Sequence, residues 1–179
     1  MTRRIVLLRA INLGPANRVR MADLRDMLGA LGCEEVRTLG QSGNVVLASD
    51  APAAELEAAV EAGVAGLGVE TKVVSRTAAE LAAVVAGNPF AQIADDPRRH
   101  QVSFLSAEPA PEVVREIEAA DLGDERVAFA GREIHAWHPD GLQRSPLARL
   151  LTDRRLGVTA TARNWRTVTA LLELARAPG

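Results

Sequence analysis

The sequence predicts an α+β fold: a ferredoxin-like βαββαβ unit in residues 1–76, packed with a second α+β unit in residues 77–179 that ends in two helices. Three observations predict it. Ile5-Val6-Leu7-Leu8 is an unbroken apolar run, the pattern of a central strand covered on both faces. Apolar residues then recur at helical steps, first at Met21, Leu24, Leu28 and Leu31, later at Leu56, Val60, Val64 and Leu67. Short strand-like segments at Glu35–Leu39, Val45–Ala48 and Val69–Ser75 complete the alternation, with Gly40 to Asn44 as the turn between the first two.

Each element has a local cause. The first strand spans Arg3–Arg9, and a polar loop rich in Gly, Pro and Asn follows to Arg20. Gly32 ends the first helix, while Asp50 and Pro52 open the second. Right-handed crossovers then place the first and third strands side by side and antiparallel, with helices on one face. The wholly apolar first strand requires cover on its other face, from the rest of the chain or from a second subunit, so a homodimer is one expectation.

The second half opens past a seam near Arg76 with the capping box Thr77-Ala-Ala-Glu80, and Asn88-Pro89-Phe90 ends the helix it starts. A strand at Gln101–Leu105 precedes a helix carrying Val113, Val114 and Ile117. A hairpin follows around Gly131, and helical stretches at Pro146–Arg155 and Arg163–Arg176 finish the chain. This order resembles that of the first half, as a degenerate repeat would.

Composition narrows the function. The 179 residues carry 21 basic and 23 acidic side chains, and the pI is about 6.0, so a strongly basic nucleic-acid or membrane binder is not the default. Lys72 is the sole lysine; the remaining basic residues are arginine. Cys33 is the single cysteine, which excludes an internal disulfide framework. The first apolar run is too short for a signal segment, and no stretch approaches the ~18 apolar residues of a membrane span. A cytoplasmic protein without a membrane partner is expected. Three Phe and two Trp supply no stacking platform at the central strands, which argues against RNA.

Two polar segments should meet. Strands one and two run parallel, so the loop after the first (Arg9, Asn12, Gly14, Asn17, Arg18) and the turn after the second (Gln41, Ser42, Gly43, Asn44) share one edge of the sheet. With the amides of the following helix start, this edge has the donors of an anion pocket. The competing account is that Asn, Gly and Ser make turns and caps. Gly40-Gln-Ser-Gly-Asn44 lacks the strand–turn–helix context of a nucleophile elbow, and His100, His135 and His138 all lie in the other half. His135 and His138 have no third partner at ligand spacing, so no metal is assigned. Gly14 to Leu31 holds no dinucleotide or Walker signature, so the cofactor stays unknown. Thr161, Arg163, Asn164 and Trp165 read as the opening of the last helix, where a guanidinium faces the wrong end of the dipole and needs an anionic or carbonyl partner.

Leu8-Arg-Ala-Ile-Asn-Leu-Gly14 with Asn17 and Met21, then Gln41-Ser-Gly-Asn44, then Arg163-Asn-Trp165 with Thr167-Val168, resemble the DUF1697 family of bacterial proteins along nearly the whole chain. The resemblance implies an α+β fold of ferredoxin-like character and no defined activity. Carried over by residue, it marks Arg9, Ile11, Asn12, Gly14, Asn17, Gln41, Ser42, Gly43, Asn44, Arg163, Asn164 and Trp165. The chain departs from the family pattern at Gly14-Pro15-Ala16, in place of a Gly-Gly-Lys run, at Leu39 in place of tyrosine, and at Pro146 in place of lysine. The arginine and amide groups survive these changes. A small anionic ligand at this edge, held by Arg9, Asn12, Gly14, Asn17, Gln41, Ser42, Gly43 and Asn44 with Arg163 and Asn164 from the second half, is the leading expectation. The alternative is that the same groups hold subdomains or a dimer together.

Overall fold

A computed structural model of the chain describes residues 1–178. The described residues divide into two compact units, residues 1–83 with 170–178, and residues 84–169.

The first unit begins with β1 (Thr2–Leu8), α1 (Met21–Ala30), β2 (Glu34–Leu39), β3 (Asn44–Ser49), α2 (Ala53–Gly66) and β4 (Val73–Thr77), and then enters α3 (Ala78–Ala86). Its sheet order is β2-β3-β1-β4, and every neighbouring pair is antiparallel. Strands one and three are therefore adjacent, with Ile5 opposite Val46, as the connection rules require. Val6, Leu8, Val45 and Leu47 point from the sheet into a core closed by Leu24 and Leu28 of α1 and by Leu56, Val60 and Val64 of α2. Those are the residues at helical spacing, and burial of this stripe is what makes both segments helical.

The fourth strand starts later than its sequence suggests. Val69 is buried, but its amide bonds back to the Val64 carbonyl beyond Gly68, which has φ +85°. That turn terminates α2 and uses the residues expected to open the strand. β4 is also an edge strand, and α2 protects it: Glu61 Oε1 accepts from the Val73 amide at 3.0 Å, and Glu57 Oε1 from the Ser75 amide and hydroxyl, both at 2.7 Å. The capping box at Thr77 forms as read, with the Thr77 amide donating to Glu80 and the Glu80 amide to Thr77 Oγ1.

The second unit contains β5 (His100–Leu105), α4 (Pro111–Glu118), β6 (Arg126–Ala130), β7 (Glu133–Trp137), α5 (Pro146–Leu150), α6 (Asp153–Leu156) and β8 (Ala160–Asn164), followed by the start of α7 (Trp165–Arg176). Its sheet order is β6-β7-β5-β8, again antiparallel throughout. Leu105, Ile134, Ala136 and Ala160 meet Ile117, Leu147 and Leu156 in its core.

Two readings of this half change. The helical stretch expected at Pro146–Arg155 is two short helices, separated at Leu151 and Thr152. Residues expected to open the last helix instead form β8, paired with β5 from Gln101 opposite Asn164 to Leu105 opposite Ala160. A five-residue segment of small and polar side chains carries almost no strand pattern; its conformation comes from the ladder with β5.

Glu57→Ala strips the Ser75 amide and hydroxyl of their acceptor at a buried position. It should lower unfolding free energy by about 1–3 kcal/mol in urea denaturation, whereas Glu57→Gln, which keeps an acceptor oxygen, should cost less.

Candidate functional site

In the first unit, the end of β1 is tied on both sides. The Leu8 amide donates to the Gly43 carbonyl at 2.8 Å, and the Arg9 amide to the Lys72 carbonyl at 2.9 Å. Thr71 Oγ1 donates to the Arg9 carbonyl at 2.7 Å. Beyond Arg9 the backbone takes up the left-handed region at three non-glycine residues, Ala10 (φ 54°), Asn12 (φ 56°) and Asn17 (φ 55°). Such conformations cost of order 1–3 kcal/mol each and persist where surrounding bonds enforce them.

Asn12 supplies that enforcement. Its Nδ2 donates to the Val19 carbonyl at 2.9 Å and to the Gln41 carbonyl at 2.7 Å, and its Oδ1 accepts from the Val19 amide at 2.8 Å. The Asn12 amide donates to the Asn17 carbonyl at 2.8 Å, closing the loop on itself. The segments around residues 12 and 42 thus meet, through one side chain that bonds both.

The turn after β2 is shaped by Gly43. With φ +79°, a Cβ there would lie 2.8 Å from both the carbonyl oxygen and the Cβ of Leu8. Only glycine lets the turn approach β1 this closely. Asn44 is buried, and its Nδ2 donates to Ser42 Oγ at 3.0 Å and to the Leu39 carbonyl at 3.3 Å. Gly14 contributes a carbonyl that accepts from Arg18 Nε at 3.1 Å. The rim therefore sorts into two groups. Asn12, Gly43 and Asn44 hold the backbone in place, while Asn17, Gln41 and Ser42 are exposed and Arg9 is half-buried.

Arg163 and Asn164 lie in the second unit, in the last two positions of β8. The Arg163 guanidinium donates to Thr161 Oγ1 at 2.8 Å and to the Ala162 carbonyl at 2.9 Å; it lies in a strand, so the helix-dipole expectation does not apply to it. Burial lowers its pKa to about 10. Asn164 Oδ1 accepts from the Thr167 amide at 2.9 Å and so caps α7.

Two polar clusters of the second unit carried no motif in the sequence. His100 Nε2 and His135 Nδ1 are 3.1 Å apart, and Trp165 stacks on His100 with ring centroids 4.6 Å apart and planes 12° from parallel. Phe90 packs edge-on against both imidazoles. His100 Nδ1 is buried without a hydrogen-bond partner. Burial pushes both imidazoles down to about 4, and at His100 the nearby His135 and His138 push the same way. The pair is neutral at pH 7.

The other cluster joins Glu125, His138 and Ser145 beside a cavity of about 510 Å³. His138 Nδ1 lies 2.7 Å from Glu125 Oε1 and 3.0 Å from Ser145 Oγ. A serine relay needs its acid and its nucleophile on opposite ring nitrogens, and here both crowd one. Ser145 Oγ also accepts from the Ala148 amide as the cap of α5, and Glu125 Oε2 accepts from the Leu147 amide. Burial alone would raise the Glu125 pKa; hydrogen bonds from Ser145, His138 and Leu147 outweigh it and hold the carboxylate below its usual range. The cluster anchors α5 and has no relay geometry. Among the described residues, no group of three or more His, Cys, Asp or Glu side chains is arranged to hold a metal. No helix among them is long and apolar enough to cross a membrane.

Two four-stranded antiparallel sheets with their helices define a mixed α+β protein, and the site residues sit in loops and strand ends of that frame. The chain belongs to the family described as protein of unknown function (DUF1697), whose model matches residues 1–135. It is similar in structure to the conserved bacterial protein SP0830 from Streptococcus pneumoniae, with a TM-score of 0.78 and 25% sequence identity, covering 98% of this chain and 99% of that one. No curated protein matches the chain.

Gly43→Ala forces a left-handed backbone on a side chain that meets the Leu8 backbone. It should destabilise by more than about 2 kcal/mol in chemical denaturation, with no ligand present. Acid should weaken the second unit. Because the folded values of His100 and His135 lie near 4, below the ordinary 6.5, the unfolded chain binds protons first as pH falls. Stability should be full above that ordinary value and decline by a few kcal/mol down to the folded one. His135→Asn should flatten this slope in denaturation curves recorded across the interval, and an unchanged slope would contradict the neutral pair.

Proposed function

We propose that the rim made by the loop after β1 and the turn after β2 binds a small anionic ligand. One observation supports this reading: the Asn12 bond to the Gln41 carbonyl joins the loop after β1 to the turn after β2, on a backbone already held in left-handed conformations. A pinned loop loses little further entropy when its exposed side chains engage a ligand. Arg9 pairs the anion, Asn17, Gln41 and Ser42 orient it, and Gly14 leaves room for close backbone approach. The start of α1 adds donors, since Arg20 at its cap position makes no side-chain capping bond.

The frame is read as ferredoxin-like in residues 1–76, supported by the order β2-β3-β1-β4, and as a degenerate repeat in residues 77–179, supported by the matching order β6-β7-β5-β8. A cytoplasmic setting is supported by the free, buried Cys33. A second reading, that these polar groups serve structure or assembly, is favoured by a specific observation: the Asn12 side chain bonds the Val19 amide and carbonyl and the Gln41 carbonyl, and the Asn44 side chain bonds the Leu39 carbonyl and Ser42 Oγ.

Thermal unfolding separates the two. A panel of phosphate, pyrophosphate and carboxylate anions should contain a compound that raises the transition, and at a hundred times its dissociation constant the gain is about 2.7 kcal/mol. Arg9→Ala should abolish that gain while changing basal stability little. Asn12→Ala should lower basal stability by about 1–3 kcal/mol by leaving the Val19 and Gln41 groups unpaired. No responsive anion, together with large destabilisation by both substitutions, would leave the structural reading.

A further inference from the structure

We propose that the second unit holds a separate site for a phosphoryl group, the head of a small phosphomonoester, between the loop before β5 and the start of α7. A cavity of about 610 Å³ lies there, lined by Asp95, Asp96, Pro97, Arg98, Arg99 and Arg166. All six residues belong to the second unit, so this site is independent of the rim in the first. Three guanidiniums against two carboxylates leave the lining net positive.

Asp96 shapes the loop from within. Its Oδ1 accepts from the Arg98 amide at 2.9 Å and from Arg98 Nε at 3.1 Å, and its Oδ2 accepts from Arg98 Nη2 at 3.0 Å. The same Oδ2 lies 3.6 Å from Arg99 Nε, while Arg99 also donates to the Pro139 carbonyl. The bonds from Arg98, helped by the charges of Arg98 and Arg99, hold the Asp96 carboxyl down to about 2. One carboxylate thus orients two guanidiniums but balances the charge of only one. The backbone is fixed too. The Arg99 amide donates to the Asp96 carbonyl at 3.0 Å, and the Arg166 amide to the Pro97 carbonyl at 3.4 Å, tying α7 to the loop.

Arg166 supplies the third guanidinium. It is exposed, and among the described residues its side chain forms no hydrogen bond or ion pair. As the second residue of α7 it stands at the positive end of the helix dipole, in a first turn that has no acidic residue. An oxyanion beside it relieves that conflict and the repulsion among the three arginines. Guanidinium forks on one cavity match the several acceptor oxygens of a phosphoryl group better than the two of a carboxylate. No aromatic ring lines the cavity, so a stacking nucleic-acid strand has no platform there. Asp95 is exposed in the same lining and opposes the anion.

Isothermal titration at low salt with inorganic phosphate and with glycerol phosphate tests this, on the full chain carrying Arg9→Ala. That substitution silences the rim proposed in the first unit, so the two sites fail or stand separately. Saturable binding of both probes is expected. Arg166→Glu should weaken it by about tenfold or more, and Asp95→Asn should tighten it by about threefold, changes that a merely structural role would not produce. Arg166 makes no side-chain bond that the fold needs, and circular dichroism checks that each variant is folded. Absence of binding up to about 10 mM phosphate, binding unchanged by Arg166→Glu, or a short oligonucleotide preferred over glycerol phosphate would each overturn the assignment.

Discussion

The side chain of Asn12 is the constraint on which the rest of the candidate site depends. A single carboxamide satisfies the Val19 amide and carbonyl on one side and the Gln41 carbonyl on the other. Those bonds compensate for left-handed conformations at Ala10, Asn12 and Asn17, which a loop of this composition would not otherwise keep. Gly43 complements the arrangement by letting the turn lie on Leu8 without a Cβ between them. Order in the loop and closeness of the turn are thus one property.

The second unit resolves its buried polar groups differently. His100 and His135 share a hydrogen bond between neutral rings under the plane of Trp165, so their burial is tolerated by surrendering charge. Glu125 keeps its charge because Ser145, His138 and the Leu147 amide together offset the cost of burial. Both clusters consist of residue types that suggest chemistry in isolation. Their geometry assigns them to packing and capping: two groups share one nitrogen of His138, and among the described residues no third ligand stands beside the histidine pair.

Edge management links the two halves. In each sheet the strand order is the same, so the same problem of exposed ladders arises twice. The first unit meets it with carboxylates from α2 and with an irregular β2, and the second with Asp153 and Arg163 on one side. That Arg163 is engaged in this way also explains its position at a strand end, where the sequence pattern suggested a helix start.

Helical periodicity at Leu24, Leu28, Leu56, Val60 and Val64, and the apolar run at Ile5–Leu8, were enough to determine the first unit's elements and their order, because burial of these side chains is what selects the local conformation. The capping box at Thr77 and the meeting of residues 12 and 42 were equally legible, one from local hydrogen bonding and the other from strand direction. β8 was not, because Ala160–Asn164 owes its extended form to β5 rather than to its own side chains. Nor were the histidine pair and the Glu125–His138–Ser145 cluster, whose members are brought together across 35, 13 and 7 positions by the sheet and the α5 cap. Sequence alone determines what burial and local bonding dictate; which polar groups face each other, and whether they are spent on structure, was decided only by the tertiary fold, since hydrogen-bond geometry depends on distances that no residue spacing encodes.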